Sequence, residues 1–155
     1  MVDLTRILPA DCALIDVEAR SRKRALEIAS DLLAARAPEI SARALFDGLM
    51  ARERLGSTGL GEGIAIPHCR MPCREILGAL VRLAAPVDFD ALDEQAVDLL
   101  FVLVVPPEET TAHLQILAAL AKVFQNADHR AALRAQTSAA SFYQTFVGLL
   151  QAEAP

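Results

Sequence analysis

Apolar residues recur at helical spacing in five segments of the chain. After Ser21, whose hydroxyl suits an N-cap, they fall three and four residues apart until Arg36-Ala37-Pro38 ends the run. A second amphipathic segment begins after Ser41 and extends to about Leu55. Three more segments with this period predict helices over about 111–126, 128–135 and 138–151. The pattern therefore predicts two helices in the first third of the chain and three at its C-terminal end.

Between these helices, two segments are apolar without helical spacing and predict strands. Val97–Val105 is apolar at every position except Asp98. Such a pattern is typical of a strand in the middle of a sheet that helices cover on both faces. The segment 76–83 is the second strand, and Ile64–Pro67 predicts a short one that the proline ends.

The strands that would complete the sheet have weaker patterns. The candidates are 14–17 and the region around Phe89, which lies in an Asp-rich connection over 85–95. Helices around a small central sheet of about five strands form an α/β layered domain. No repeat, low-complexity tract or interdomain linker interrupts the chain, so we expect one domain over residues 1–155.

Composition narrows the class of protein. The 155 residues are 54% hydrophobic and 23% charged, which supports a packed core. Fifteen Lys and Arg against twenty Asp and Glu give a net charge of -5, which argues against a nucleic-acid binder. The longest apolar run, 99–105, is too short to cross a bilayer, which takes roughly 20 residues. Residues 1–9 show no secretory signal, and three cysteines are too few for a disulfide framework. We therefore expect a soluble, cytoplasmic protein that does not insert into membranes.

The glycine-rich segment 52–68 contains the densest set of chemically useful residues. Its sequence is R-E-R-L-G-S-T-G-L-G-E-G-I-A-I-P-H, and it ends on His68. Glycines let the backbone approach a ligand, and successive N–H groups can converge on an anion. An imidazole can accept a phosphoryl group and release it again, and the Arg52 guanidinium would offset part of its charge. The candidate phosphate-binding residues are Gly56, Ser57, Thr58, Gly59 and Gly61.

Two other interpretations of this segment are open. Gly56 and Gly61 have the outer spacing of a nucleotide-binding loop, but Glu62 and Gly63 stand where that loop needs Lys and Ser or Thr. Nucleotide binding is therefore disfavoured. Alternatively, the glycines form a purely structural turn between a helix and a strand, which is a common use of glycine.

His113 is the second candidate for a functional histidine. It follows the predicted central strand, near the sheet edge where α/β proteins usually place their sites. There it could donate a hydrogen bond to a phosphoryl group or orient His68. The alternative is a partly exposed histidine at the start of an amphipathic helix. His129, between Asp128 and Arg130, is predicted to be a surface residue without a role.

A metal site is the rival interpretation of the same residues. Cys69 and Cys73 are close to His68 in sequence, and His113 could complete a tetrahedral set. Structural zinc sites, however, normally use paired Cys-x-x-Cys spacings and four clear ligands. We therefore expect no metal and no cofactor, and we interpret the cysteines as ordinary small side chains.

Segment 52–68 resembles the active-site signature of the IIA components of the bacterial phosphoenolpyruvate-dependent phosphotransferase system. More narrowly, it is similar to the nitrogen-regulatory branch of the fructose/mannitol-type IIA proteins. Segments 23–28, 86–101 and 105–114 resemble other parts of that family, so the likeness covers roughly residues 20–145. The resemblance implies a type-2 EIIA domain with a mixed sheet flanked by helices.

The resemblance also implies a function. His68 would be the phosphorylated residue, and Arg52 and His113 would be its supporting residues. The donor would be an HPr-like phosphocarrier protein, itself charged from phosphoenolpyruvate by an Enzyme I-like protein. In the nitrogen-regulatory branch the phosphorylation state alters binding to other proteins, including potassium transporters and sensor kinases. The chain would then be a phosphoryl carrier of the phosphotransferase system, and not a stand-alone enzyme for a small molecule.

The sequence departs from the family pattern beside the active-site histidine. Cys69-Arg70 stands where relatives commonly have Gly-Lys, and Gln115 stands where some have another histidine. The change at Cys69-Arg70 bears on the choice of partner, and neither change touches Arg52, His68 or His113. Two further hypotheses remain. One is a sugar-specific IIA component that passes phosphate to a IIB domain and permease, and the other is an interaction module that is not phosphorylated.

Overall fold

The computed structural model describes residues 6–153, and five α-helices lie within this range. Their bounds are α1 Arg22–Arg36, α2 Ala42–Leu55, α3 Thr110–Gln125, α4 Ala127–Arg134 and α5 Ala139–Glu153. The side chain of Ser21 accepts a hydrogen bond from the Arg24 N–H, and that of Ser41 accepts one from the Ala44 N–H. Both predicted N-caps and all five predicted helices are therefore confirmed to within one or two residues at each end.

Six strands form one mixed sheet in the same part of the chain. They are β1 Ala13–Val17, β2 Gly59–Gly61, β3 Ile64–Ala65, β4 His68–Arg70, β5 Leu77–Val87 and β6 Val97–Val105. The order is β1-β5-β6-β3-β2, with β4 also paired to β6. The β1–β5, β3–β6 and β4–β6 pairs are parallel, whereas β5–β6 and β2–β3 are antiparallel. The predicted α/β class and mixed sheet are confirmed, with one strand more than expected.

Strand β6 lies in the middle of the sheet, as its apolar pattern predicts. It pairs with β5 along one side and with β3 and then β4 along the other. All of its residues except Asp98 are buried. His68, the first residue of β4, lies opposite Leu103, and the Pro67 carbonyl accepts a hydrogen bond from the Leu103 N–H. The candidate histidine is therefore attached directly to the most buried strand of the domain.

One expectation about the strands is wrong. The region around Phe89 is not a strand: its ring is fully buried, but its carbonyl accepts hydrogen bonds from the side chains of Ser57 and Arg22. The short strand predicted over 64–67 is confirmed as β3, which ends before Pro67, and the candidate 14–17 is confirmed as β1. The two strands of three residues, β2 and β4, were not predicted, because strands this short are determined by pairing with a neighbour and not by local propensity.

Gly78 permits a close contact between the two longest strands and provides a stability test. A Cβ at this position would lie 2.5 Å from Cε1 of the buried Phe101 ring. We expect Gly78→Ala to lower the free energy of unfolding by about 1–3 kcal/mol, because the ring must shift within a packed core. Urea denaturation measures the change.

The control for this variant is Gly148→Ala. Gly148 lies on the exposed side of α5, and a Cβ there would meet nothing within 4 Å. The free energy of unfolding should rise by roughly 0.5–1 kcal/mol, because alanine restricts the unfolded chain and favours the helix. Equal effects of the two substitutions would contradict the packing argument.

Among the helices of residues 6–153, none combines the length and the apolar character that crossing a bilayer requires.

Candidate functional site

His68 is held at the start of β4 with a defined tautomer. Its Nδ1 lies 2.8 Å from the Ile66 carbonyl oxygen. Because a carbonyl can only accept, Nδ1 carries the hydrogen, and the neutral ring keeps its lone pair on Nε2. The side chain is half-buried. Strand pairing and this hydrogen bond together hold the ring with its lone pair on Nε2.

The surroundings of His68 favour the neutral imidazole. Burial lowers its pKa below the ordinary value of 6.5, and the positive charges of Arg52 and Arg70 act in the same direction. The Ile66 carbonyl and the Glu53 carboxylate oppose this shift. The net lowering of the pKa keeps the ring uncharged at neutral pH, which is the form that can attack phosphorus.

His113 lies beside His68 in the first turn of α3. The two ring centroids are 5.2 Å apart, and the rings meet edge to face at 71°. His113 is buried, and its Nδ1 accepts a hydrogen bond of 3.0 Å from Nε of Arg70. Its Nε2 is buried and has no hydrogen-bond partner among the described residues. Burial lowers the pKa of His113 to about 4, with smaller contributions from the charges of His68 and Arg70.

Arg52 lies in the last turn of α2, at the start of the glycine-rich segment. Its Nη1 donates a hydrogen bond of 2.9 Å to the carbonyl of Gly56, which is the C-cap residue of α2. Its charge also acts on the His68 imidazole, so the guanidinium is within electrostatic range of that ring. Arg52 and His68 therefore lie in one region of the structure, where His113 contacts the same ring.

The hydroxyl groups of Ser57 and Thr58 are engaged by the protein. Ser57 Oγ donates to the Phe89 carbonyl at 2.6 Å and accepts from the Gly59 N–H at 3.0 Å. Thr58 donates both its hydroxyl and its backbone N–H to the carboxylate of Glu53. We expected these two hydroxyl groups to face a phosphate. Instead, both donate their hydrogens to groups of the protein and stabilise the loop.

The buried Glu53 carboxylate, which sequence reasoning missed, anchors this loop. It is 4% exposed, and besides Thr58 it contacts the Arg22 guanidinium at 3.4 Å. A buried carboxylate is stable only when it is paired and hydrogen-bonded, so the three residues act as one unit. Nothing local to Glu53 distinguishes it from the exposed glutamates of an amphipathic helix.

The glycines at the far end of the segment form a tight hairpin turn between β2 and β3. Gly61, Glu62 and Gly63 all have positive φ, at 89°, 58° and 82°. Asp93 accepts from the Glu62 N–H, and Arg134 donates to the Glu62 carbonyl and pairs with Asp98 at 2.8 Å. The structural interpretation of the glycines therefore holds for this end of the segment.

Arg70 is a second residue that sequence reasoning did not assign to the site. It lies two positions after His68 on the same strand, so both side chains are on one face of the sheet, whereas Cys69 is on the other face and buried. The Cys69 sulfur lies 3.2 Å from the position that a Cβ on Gly48 of α2 would occupy, so the absence of a side chain at Gly48 leaves room for this thiol. Because side chains two positions apart on a strand share a face, the strand period could have identified Arg70 from its position relative to His68.

Within residues 6–153, no three His, Cys, Asp or Glu side chains converge in a way that could hold a metal ion. The alternative of a tetrahedral site built on His68, Cys69, Cys73 and His113 therefore has no ligand set in this range. Burial raises the pKa of the Cys69 thiol to about 12 and also raises that of Cys73. Both thiols are therefore protonated at neutral pH in the metal-free chain.

The lowered pKa values of His68 and His113 predict how stability depends on pH. In the unfolded chain both rings take up a proton near pH 6.5, whereas the folded chain resists protonation of His113 down to about pH 4. The free energy of unfolding should therefore fall as the pH drops from 6.5 towards 4, by up to about 3 kcal/mol from His113. Above pH 6.5 both rings are neutral in the folded and in the unfolded chain, so neither contributes to the pH dependence of the free energy of unfolding. Urea melts at pH 7.5, 5.5 and 4.5 should show a shallower dependence in His113→Leu, and equal slopes would contradict this assignment.

Comparisons with known proteins show the family and the fold of this chain. The sequence profile of the family "Phosphoenolpyruvate-dependent sugar phosphotransferase system, EIIA 2" matches residues 6–147. A "Nitrogen regulatory protein" of Pseudomonas aeruginosa is 47% identical over 148 residues, which cover 95% of this chain and 96% of that protein. The crystal structure of the nitrogen regulatory protein IIA-Ntr from Neisseria meningitidis superposes with a TM-score of 0.86, at 39% identity, over 95% of this chain and 98% of that one.

A more distant structure shares the fold. The IIA mannitol protein of Escherichia coli superposes with a TM-score of 0.72 at 19% identity, over 90% of this chain and 96% of that chain. Profile, sequence and fold thus agree over nearly the whole described range. The chain belongs to the EIIA 2 family of the phosphoenolpyruvate-dependent sugar phosphotransferase system and resembles its nitrogen-regulatory members.

Proposed function

We propose that this chain is a cytoplasmic phosphoryl carrier that accepts phosphate on Nε2 of His68 from an HPr-like protein. The observation that carries the proposal is the 2.8 Å contact between His68 Nδ1 and the Ile66 carbonyl. It places the lone pair of a neutral, half-buried imidazole on Nε2. The phosphotransferase family supplies the context, since its EIIA members receive phosphate from an HPr-type donor.

The transfer step needs positioning and charge compensation more than covalent catalysis by other residues. His68 Nε2 attacks the phosphorus of the donor's phosphohistidine in line. A new N–P bond forms while the donor's P–N bond breaks, and the donor imidazole leaves with that electron pair. The donor's ring is protonated on its other nitrogen, so it leaves as a neutral imidazole. The hydrogen on His68 Nδ1 stays on that nitrogen, where it donates to the Ile66 carbonyl, so the phosphorylated ring takes over the positive charge and no base is required.

Arg52 and His113 provide the surroundings for the transferred group. A phosphoryl group brings about -1.5 to -2 charges near neutral pH, and Arg52 already acts electrostatically on the ring that would carry it. His113 brings a buried Nε2 without a partner to the edge of that ring. An unpartnered buried N–H is unfavourable by itself and becomes favourable when a phosphoryl oxygen accepts from it.

The role of the carrier is regulatory in this proposal. A dianion on His68 changes the charge of the surface around a neutral ring, so it should repel an acidic partner surface and attract a basic one. The similarity to nitrogen regulatory proteins supports this role over sugar transport. Potassium transporters and sensor kinases are the classes of partner that we propose.

Phosphate transfer in a reconstituted system tests the function. The protein is incubated with phosphoenolpyruvate, Enzyme I and an HPr-like protein, and its intact mass is measured without acid, because phosphohistidine is acid-labile. We expect one phosphoryl group per chain, and none when the HPr-like protein is omitted. A wild-type chain that gains no phosphate under these conditions would refute the proposal.

The sugar-specific alternative differs only in the acceptor. The family description refers to sugar transport, and the IIA mannitol protein shares the fold. If the phosphorylated chain passed its phosphate to a purified IIB domain at a rate comparable to that of its uptake, this alternative would replace the regulatory role. We expect no such transfer.

A further inference from the structure

Arg70 holds His113 through an uncommon nitrogen-to-nitrogen hydrogen bond. Its Nε lies 3.0 Å from His113 Nδ1. A guanidinium has only donors and stays protonated, so Nδ1 must be the acceptor. A neutral His113 then carries its single hydrogen on Nε2. The contact with Arg70 therefore selects one of the two tautomers of this ring.

The selected hydrogen lies on an atom that the protein leaves unused. Nε2 of His113 is buried without a hydrogen-bond partner, and the ring as a whole is 6% exposed. Native structures leave few buried polar groups unsatisfied, and those that remain call for a functional explanation. The neighbouring ring is His68, whose centroid is 5.2 Å away. A group attached to His68 is therefore the natural acceptor for this donor.

We propose that Arg70 is a positioning residue that fixes His113 as the Nε2–H tautomer, so that a hydrogen-bond donor is ready for the phosphoryl group on His68. This inference rests on the proposed phosphorylation of His68. Arg70 acts through His113, and its own charge is a second, smaller contribution at the site.

The electrostatics of the site agree with this role. The groups that act on His113 are His68 and Arg70, both on β4, and burial together with these two lowers its pKa to about 4. The ring therefore stays neutral, and a neutral ring has only one N–H to place. Without a donor at Nδ1 that hydrogen could move to Nδ1, and Nε2 would then present a lone pair to the phosphoryl oxygens.

Three variants separate positioning from charge and docking. Arg70→Met removes the donor and the charge, and Arg70→Lys keeps the charge and a flexible donor. Arg74→Met is the matched control, since Arg74 is also an exposed arginine and lies only four residues further on. Each protein is studied by ¹⁵N NMR of its imidazoles and by its rate of phosphate uptake at saturating HPr-like donor, where weaker docking no longer limits the rate.

In the wild type and in Arg74→Met, NMR should show Nε2–H on His113 and a scalar coupling between Arg70 Nε and His113 Nδ1. Arg70→Met should show a population of the Nδ1–H tautomer, a His113 pKa closer to 6.5, and phosphate uptake roughly tenfold slower, as expected for the loss of one hydrogen bond. Arg70→Lys should recover most of that rate.

A wild-type His113 that carries its hydrogen on Nδ1 would overturn the inference, as would unchanged uptake by Arg70→Met from a wild type that is itself phosphorylated. A wild type that takes no phosphate refutes the proposed function instead. The NMR measurement on the unphosphorylated protein then still decides whether Arg70 selects the tautomer, so the two failures are distinguishable.

Discussion

His68→Ala should take up no phosphate in the reconstituted system, while it keeps its fold and loses about 1 kcal/mol of stability, because the Ile66 carbonyl loses its imidazole donor. Nε2 of His68 is the only nucleophile that the proposed transfer uses, and no side chain nearby can replace it: His113 is buried, and its Nδ1 is engaged by Arg70. The half-buried position of His68 makes its truncation tolerable. Intact-mass spectrometry under non-acidic conditions measures the uptake, and circular dichroism checks the fold.

His129→Ala is the control for this variant. His129 is also an imidazole whose Nδ1 contacts a backbone carbonyl, here that of Val123 at 2.9 Å, but it belongs to α4. Its loss should leave phosphate uptake unchanged. Phosphate uptake by His68→Ala, or its loss in His129→Ala, would show that the acceptor has been assigned to the wrong ring.

His113→Leu should slow phosphate uptake about 10²-fold and at the same time raise the free energy of unfolding. The slower uptake follows from removing a preorganised donor to the transferred group, which typically costs 10²- to 10³-fold in rate. The gain in stability follows because the ring buries an Nε2 without a partner, an arrangement that costs about 1–3 kcal/mol, whereas leucine has a similar size and no polar atoms. Single-turnover uptake and urea denaturation measure the two effects.

The opposite signs of these effects make the prediction specific. His129→Leu, the matched control, should keep normal uptake and lose about 1 kcal/mol, because it leaves the Val123 carbonyl without the imidazole donor. If His113→Leu lost stability and kept its rate, His113 would be a structural residue and the unpartnered Nε2 would have no function.

Much of the fold could be predicted because its signals are local. The N-cap serines Ser21 and Ser41, the helical period and the continuous apolar run of β6 each involve residues close together in sequence. The candidate residues His68, Arg52 and His113 could be proposed for the same reason, because each lies beside a recognisable helix end, strand or glycine cluster.

Strands β2 and β4 and the Phe89 region were beyond such signals. Gly59–Gly61 is a strand because β3 pairs with it, and His68–Arg70 is a strand because β6 offers it a buried edge. Phe89 has a strand-like side chain, but its carbonyl is taken by Ser57 and Arg22 from other elements. Pairing energy between distant segments exceeds local propensity in pieces of two or three residues.

The sequence by itself determined the main elements of this protein and its candidate functional residues, since periodicity, capping and composition depend on neighbouring residues. Only the tertiary structure decided the state of those residues: which nitrogen of His68 keeps its lone pair, which nitrogen of His113 is unpartnered, and that Arg70 and Glu53 lie in the same region. Tautomer, burial and charge depend on atoms that residues as far apart as 70 and 113 bring together, and folding alone creates that proximity.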